Sequence, residues 1–109
     1  MPEYVYQEAL DRKLVKEHFD VRKELIYHPF FDGEQLGSYI KMDMVVVMPR
    51  GNVIIECKSI KAITDREQFQ TFGYLRGTSF PIAILVNFGT WPKAQIERYY
   101  YHDGIIRAF

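Results

Sequence analysis

The sequence predicts an α/β sandwich around one mixed central sheet flanked by helices, in the order helix, three-strand meander, helix, strand and a C-terminal ribbon. Three observations carry that prediction. Pro81 to Phe88 is a continuous apolar run, the pattern of a strand buried on both faces. Asp32-Gly33 and Pro49-Arg50-Gly51-Asn52 are turn sequences that punctuate apolar runs. Thr64-Asp65-Arg66-Glu67 has the capping-box spacing that starts a helix.

Taken in order, Pro2 suits the first position of a helix, and Glu3 adds a carboxylate to its first turn. Tyr6, Leu10 and Leu14 recur at helical spacing, so an amphipathic helix is expected to end near Phe19-Asp20. Val21 to Phe31 reads as extended, with Pro29 near its end. Asp32-Gly33 turns the chain into a second strand, from about Ser38 to Met48. Pro49 takes a favoured first corner of the next turn, and Val53 to Lys58 is the third strand. The second helix runs from the capping box to about Arg76, with Gly77 as its stop. Phe69, Phe72 and Gly73 are expected on its buried side, Gly73 allowing close approach to the sheet. Beyond Phe88, Trp91-Pro92 reads as a loop anchor, Gln95 to Tyr101 as a strand, and His102-Asp103-Gly104 as a turn before a short tail.

Length and composition bound the class. The 109 residues suit one domain, residues 1–109, with a single modest core. Apolar residues at 48% and charged residues at 26% are ordinary globular values, which argues against disorder. Fourteen basic and fourteen acidic side chains cancel, so a general polyelectrolyte binder is excluded and only local basic patches remain. Cys57 is the only cysteine, so no internal disulfide or cysteine-rich zinc site can form; it reads as a small buried apolar residue. No stretch approaches the roughly 18 apolar residues of a membrane helix. The start, Met1-Pro2-Glu3, lacks a basic and apolar leader, so a soluble, reducing, cytoplasmic setting is expected.

The most informative feature is a set of charges inside apolar strands. Asp43 interrupts Met42 to Val47, and Glu56 and Lys58 interrupt Ile54 to Lys58. Side chains alternate along a strand, so Glu56 and Lys58 share a face. A two-residue loop at Pro49-Arg50 sets Asp43 opposite Glu56, whereas a four-residue loop sets it opposite Lys58; both gather the three residues together. A bulge would set Asp43 opposite Cys57 and scatter them. Two neighbouring carboxylates repel unless a cation intervenes. Magnesium prefers oxygen ligands, needs only one or two carboxylates, and retains water or takes substrate phosphate. Lys58 beside it could orient or deprotonate water, or neutralise charge developing on phosphorus. The spacing by itself leaves two readings open: this hydrolytic site, or a salt-bridged trio on a half-exposed sheet.

Asp43, followed across an apolar hairpin by Glu56-Cys57-Lys58, resembles the signature of the PD-(D/E)XK nuclease superfamily. Glu3 to Leu10 resembles the E-x-x-Y-x-x-A-L core of the GxxExxY family within it. Gln70-Thr71-Phe72-Gly73-Tyr74-Leu75 resembles that family's Q-x-x-x-Y-L helix, and Leu85-Val86-Asn87-Phe88-Gly89 its L-I-N-F-G strand end. The matches fall in family order and span nearly the whole chain. The family's leading Gly and preceding helix are missing, so the chain resembles a short member, a truncated one or a remnant. The resemblance implies a restriction-endonuclease-like core and a nuclease dependent on Mg2+ or Mn2+. It implies Asp43 and Glu56 as metal ligands, with the backbone carbonyl of Cys57 a third. Lys58 becomes the catalytic amine, Gln70 helps to order the site, and Glu3 is an additional acid from the first helix. Glu8 points elsewhere on that helix.

The implied partner is nucleic acid, DNA ahead of RNA. Lys41, Arg50, Lys61 and Arg66 are near the site in sequence and are candidates for phosphate contacts. Tyr99-Tyr100-Tyr101 suits core packing plus a homodimer contact. His18, His28 and His102 show no metal-ligand spacing. Two competing functions remain: a nuclease fold kept as a non-catalytic module binding nucleic acid or a protein partner, and a purely structural interaction domain.

Overall fold

The computed structural model describes residues 1–109. Helix α1 (Glu3–Lys16) is followed by β1 (Asp20–Tyr27), a minimal hairpin of β2 (Phe30–Phe31) and β3 (Glu34–Gln35), then β4 (Ile40–Val47) and β5 (Val53–Lys58). Helix α2 (Asp65–Thr78) leads to β6 (Ile82–Asn87), β7 (Gln95–His102) and β8 (Ile105–Ala108). Six strands form one mixed sheet in the order β1-β4-β5-β6-β7-β8. Only β5 and β6 run parallel, because α2 carries the chain across between them. This is the expected α/β sandwich, with a restriction-endonuclease-like arrangement of sheet and helices.

The two faces of the sheet hold separate cores. Beneath α1, Leu10 and Leu14 pack with Met44, Val46, Ile55, Cys57 and Val86. Beneath α2, Leu75, Phe72 and Tyr74 pack with Met42, Val45, Ile54, Ala83 and Tyr99. Each fully buried aliphatic side chain contributes about 1.5–3 kcal/mol, so these clusters are the main source of stability.

The two cores also reveal a twist that alternation alone does not predict. Met42 belongs to the α2 side and Met44 to the α1 side, although residues two apart in a regular strand share a face. On β1, Val21 faces α1, while Leu25 and Tyr27 face α2. Lys23 pairs with Met44 and Leu25 with Met42, so register is kept while both strands roll over between those pairs. Glu24 lies at that step with φ +51, opposite Asp43.

Several element ends differ from expectation. Helix α1 stops at Lys16 because His18 adopts a left-handed φ of 68 and Phe19 N–H bonds back to Leu14 O. Asp32-Gly33 closes β2 and β3, an excursion of the chain, and it is β1 that pairs with β4. Helix α2 passes Gly77 and ends at Thr78, with Ser79 (φ 60) as the left-handed cap and its N–H on Leu75 O. Gly77 matters instead for packing: a Cβ there would lie 2.5 Å from Ile40 Cδ1. Gly73 makes no close approach, and Phe69 is 65% exposed; the buried stripe is Thr71, Leu75 and Thr78. The tail beyond Gly104 pairs as β8 along β7.

Candidate active site

The turn between β4 and β5 decides where the charges meet. Gly51 N–H bonds Met48 O, leaving Pro49 and Arg50 at the corners. Val46 then pairs with Val53, Val45 with Ile54 and Met44 with Ile55. The next step places Asp43 against Glu56, as a two-residue loop requires. There the backbone ladder ends and side chains replace it. Asp43 N–H donates to Glu56 Oε1, and Cys57 N–H donates to Asp43 Oδ2, each at 3.1 Å. Each carboxylate thus satisfies the other strand's backbone in the gap. Gln7 Nε2 on α1 donates to Asp43 O at 3.3 Å, holding the residue where β4 rolls over.

This pair is electrostatically uncomfortable. Glu56 is 3% exposed. Burial, and then the neighbouring Asp43 charge, push its carboxyl up to about 9, against the opposing pull of the Asp43 N–H and Lys58. Burial, followed by Asp43 and Glu56, also pushes the Cys57 thiol up to about 12. Cys57 is therefore a protonated packing residue and no nucleophile.

Lys58 follows Glu56 on the same face of β5 and reaches α2, where Nζ donates to Gln70 Oε1 at 3.1 Å. No carboxylate lies within 4 Å of it, so the salt-bridged trio that the sequence left open is not formed. An open pocket of about 330 Å³ lies over this pair, lined by Glu3, Lys58, Ile60, Arg66, Glu67 and Gln70. Glu67 is held in place by accepting the Thr64 N–H at 2.9 Å, the return half of the capping box.

The segment after Lys58 is pinned from beneath. Buried Asn87 accepts the Ile60 and Gly89 N–H groups on Oδ1 and donates through Nδ2 to Ile60 O. A Cβ at Gly89 would fall 2.2 Å from Ile60 O, so only glycine lets the two loops touch. Gln95 Oε1 accepts the Ile63 N–H and extends the seam.

Asp43, Glu56, Lys58 and Gln70 are therefore brought to one end of the β4–β5 hairpin. Glu3 stands at the pocket with Lys58 and Gln70, while Glu8 turns to Arg12. The chain has no cluster of three His, Cys, Asp or Glu residues able to hold a metal, so Glu3 does not complete a three-acid set with Asp43 and Glu56. Arg50 lies in the turn at the opposite end of the hairpin, and Lys41 is paired with Glu24 at 2.9 Å. Of the four expected phosphate contacts, Arg66 alone lines the pocket. Trp91 is 91% exposed and anchors nothing. Nothing in the sequence pattern marks the roles of Gln7 and Asn87, although Gln7 lies one turn beyond Glu3 on the same helical stripe.

The donor set fits a hard divalent cation. It offers two adjacent carboxylates, one of them kept from ionising by burial and by the charge of the other, and leaves the other positions to water and phosphate oxygens.

The fold and the hairpin define a restriction-endonuclease-like α/β protein. A family model for the PD-(D/E)XK nuclease superfamily matches residues 1–99, and the chain belongs to that superfamily. The crystal structure of SSO0001 superposes with a TM-score of 0.65 at 18% identity, covering 86% of this chain and 48% of that one. The likeness is one of fold, and this chain spans about half of that protein's length. No curated protein matches the sequence.

Proposed function

We propose that the chain is a nuclease of the GxxExxY type that hydrolyses nucleic-acid phosphodiesters with Mg2+ or Mn2+, DNA ahead of RNA, in the cytoplasm, from one domain spanning residues 1–109. The observation that carries this reading is the pairing of Lys58. An ammonium two residues from Glu56 is held by a neutral glutamine and aimed at a pocket, with no ion pair. A stability device would have joined these opposite charges, because a buried carboxylate without a cation is costly.

Asp43 and Glu56 would hold the metal, with the Cys57 carbonyl as a further donor. When bound, the ion polarises phosphoryl oxygen and acidifies water. The chain's own residues supply the rest. Gln70 fixes the Lys58 Nζ, which orients the attacking water or balances charge developing on the phosphorus. Arg66 at the pocket can hold a flanking phosphate. Asn87 and Gly89 keep the floor of the pocket fixed, so that Lys58 and α2 stay in register.

The test is a cleavage panel of single-stranded, duplex and branched DNA and RNA, with Mg2+, Mn2+ or chelator. Metal-dependent cleavage lost in Asp43→Ala and Lys58→Ala supports the enzyme. Binding that survives both changes without cleavage by the wild type replaces it with a non-catalytic module.

A further inference from the structure

The start of α1 and the α2 turn that carries Arg66 and Gln70 line the pocket, and the β6–β7 loop adjoins it where Gly89 packs on Ile60. Each presents a large exposed aromatic ring. Tyr4 follows Glu3, Phe69 precedes Gln70, and Trp91 follows Gly89 by two residues. They are 73%, 65% and 91% exposed respectively. The Trp91 loop is tied down at its base, where Thr90 Oγ1 donates to Lys93 O at 2.6 Å and Asn87 and Gln95 fasten it to Ile60–Ile63. The ring is therefore presented to solvent by a braced loop.

The charge of the chain decides what such rings are suited to. Binding duplex through its backbone requires many cations, since each neutralised phosphate adds to a salt-dependent affinity. This chain has no net charge, and Arg12, Lys13, Arg22, Lys23 and Lys41 are each paired with an acid of α1, its C-terminal cap or β1. At the pocket itself, Lys58 and Arg66 are in no ion pair, enough for a few phosphates only. Stacking of bases on aromatic rings supplies affinity without a large basic surface, but it needs bases that are not already paired.

Building on the nuclease reading, we infer that the substrate is an unpaired nucleic-acid strand, and that Trp91 and Phe69 stack on bases next to the phosphate held at the pocket. Trp91 is the only tryptophan, so its emission reports on the contact directly. The intact chain, in chelator to prevent cleavage, is titrated with a mixed-sequence 12-nucleotide DNA strand, its RNA counterpart and the same DNA as a duplex. Single strands should quench Trp91 and bind at least tenfold more tightly than duplex. With labelled strands, Trp91→Ala and Phe69→Ala should each weaken binding by about 5-fold to 150-fold, the equivalent of about 1–3 kcal/mol per stacked base. Both variants should melt with the wild type, since both rings are exposed.

Equal or tighter duplex binding, single-strand binding that leaves Trp91 emission unchanged, unaltered affinity in both variants, or no binding at all would each overturn the inference. DNA against RNA affinity identifies which strand chemistry is preferred. Cleavage of duplex with no response from Trp91 would leave the nuclease standing and remove this inference; quenching without cleavage in any metal would do the reverse.

Discussion

Lys58 has no acid to neutralise it, and Glu56 has no cation to ionise it fully; those two facts underlie the proposed chemistry at the scale of single residues. Lys58→Ala should lower cleavage by about 10²- to 10⁴-fold, the usual size of a positioned acid–base or charge-balancing group. Its melting temperature should stay close to wild type, because the only bond lost is a half-exposed one to Gln70. Glu56 gives a pH dependence whose sign follows from its raised value of about 9. Between about 4.5 and 9 the folded protein keeps a proton that the unfolded chain has released. In metal-free protein this contribution is fully present below about 4.5 and is lost progressively as pH rises toward 9. Glu56→Gln should remove that slope and raise stability at pH 8 by on the order of 1 kcal/mol, about 4–8 °C in Tm, while abolishing cleavage. Thermal melts of both proteins in chelator from pH 5 to 9 check it; a wild-type Tm that climbs steadily with pH across this range would contradict the assignment.

At the scale of elements, the roll of β1 and β4 at Glu24 and Asp43 is what turns an ordinary hairpin into a candidate site. It ends the β4–β5 ladder at Met44 and Ile55 and lets the two carboxyls take over the backbone hydrogen bonds. Glu24 has φ +51, which glycine tolerates and a β-branched residue does not. Glu24→Gly should therefore leave stability within about 1 kcal/mol of wild type, whereas Glu24→Val should cost on the order of 1–3 kcal/mol and weaken metal binding, as denaturant melts and metal titration would show. Asn87→Ala leaves three backbone groups at Ile60 and Gly89 without their partner and should cost on the order of 3 kcal/mol by the same melts. The strands themselves were legible. Val53–Lys58 matches its apolar run, and the Pro49-Arg50 turn sets the pairing by loop length alone. The roll was not legible, because nothing in Lys23-Glu24-Leu25 marks a left-handed residue; register with β4 and burial on both sides impose it. Gly77 misled for a related reason. Its missing side chain serves Ile40 across the core, and Ser79 supplies the cap.

Across the whole molecule, the two cores stand apart from the chemistry. Leu75 is fully buried on the α2 side and touches none of the site's hydrogen bonds. Leu75→Ala should lower stability by about 2–5 kcal/mol while the surviving folded fraction keeps its metal affinity. Asp43 and Glu56 could be found from sequence because charges inside apolar strands are conspicuous. The exposure of Phe69 and Trp91 could not, since aromatic residues are ordinarily buried and only the assembled surface shows that these are not. No helix is long and apolar enough to cross a membrane.

Whether Asp43 and Glu56 meet to receive a hard cation is answered by calorimetric titration of Mn2+ into metal-free protein at pH 8. The wild type should show one site, weaker at pH 6 because Glu56 must shed its proton, and Asp43→Asn or Glu56→Gln variants that remain folded should show no measurable binding. Wild-type affinity retained in either variant, or no binding by the folded wild-type chain, would contradict that role for the pair.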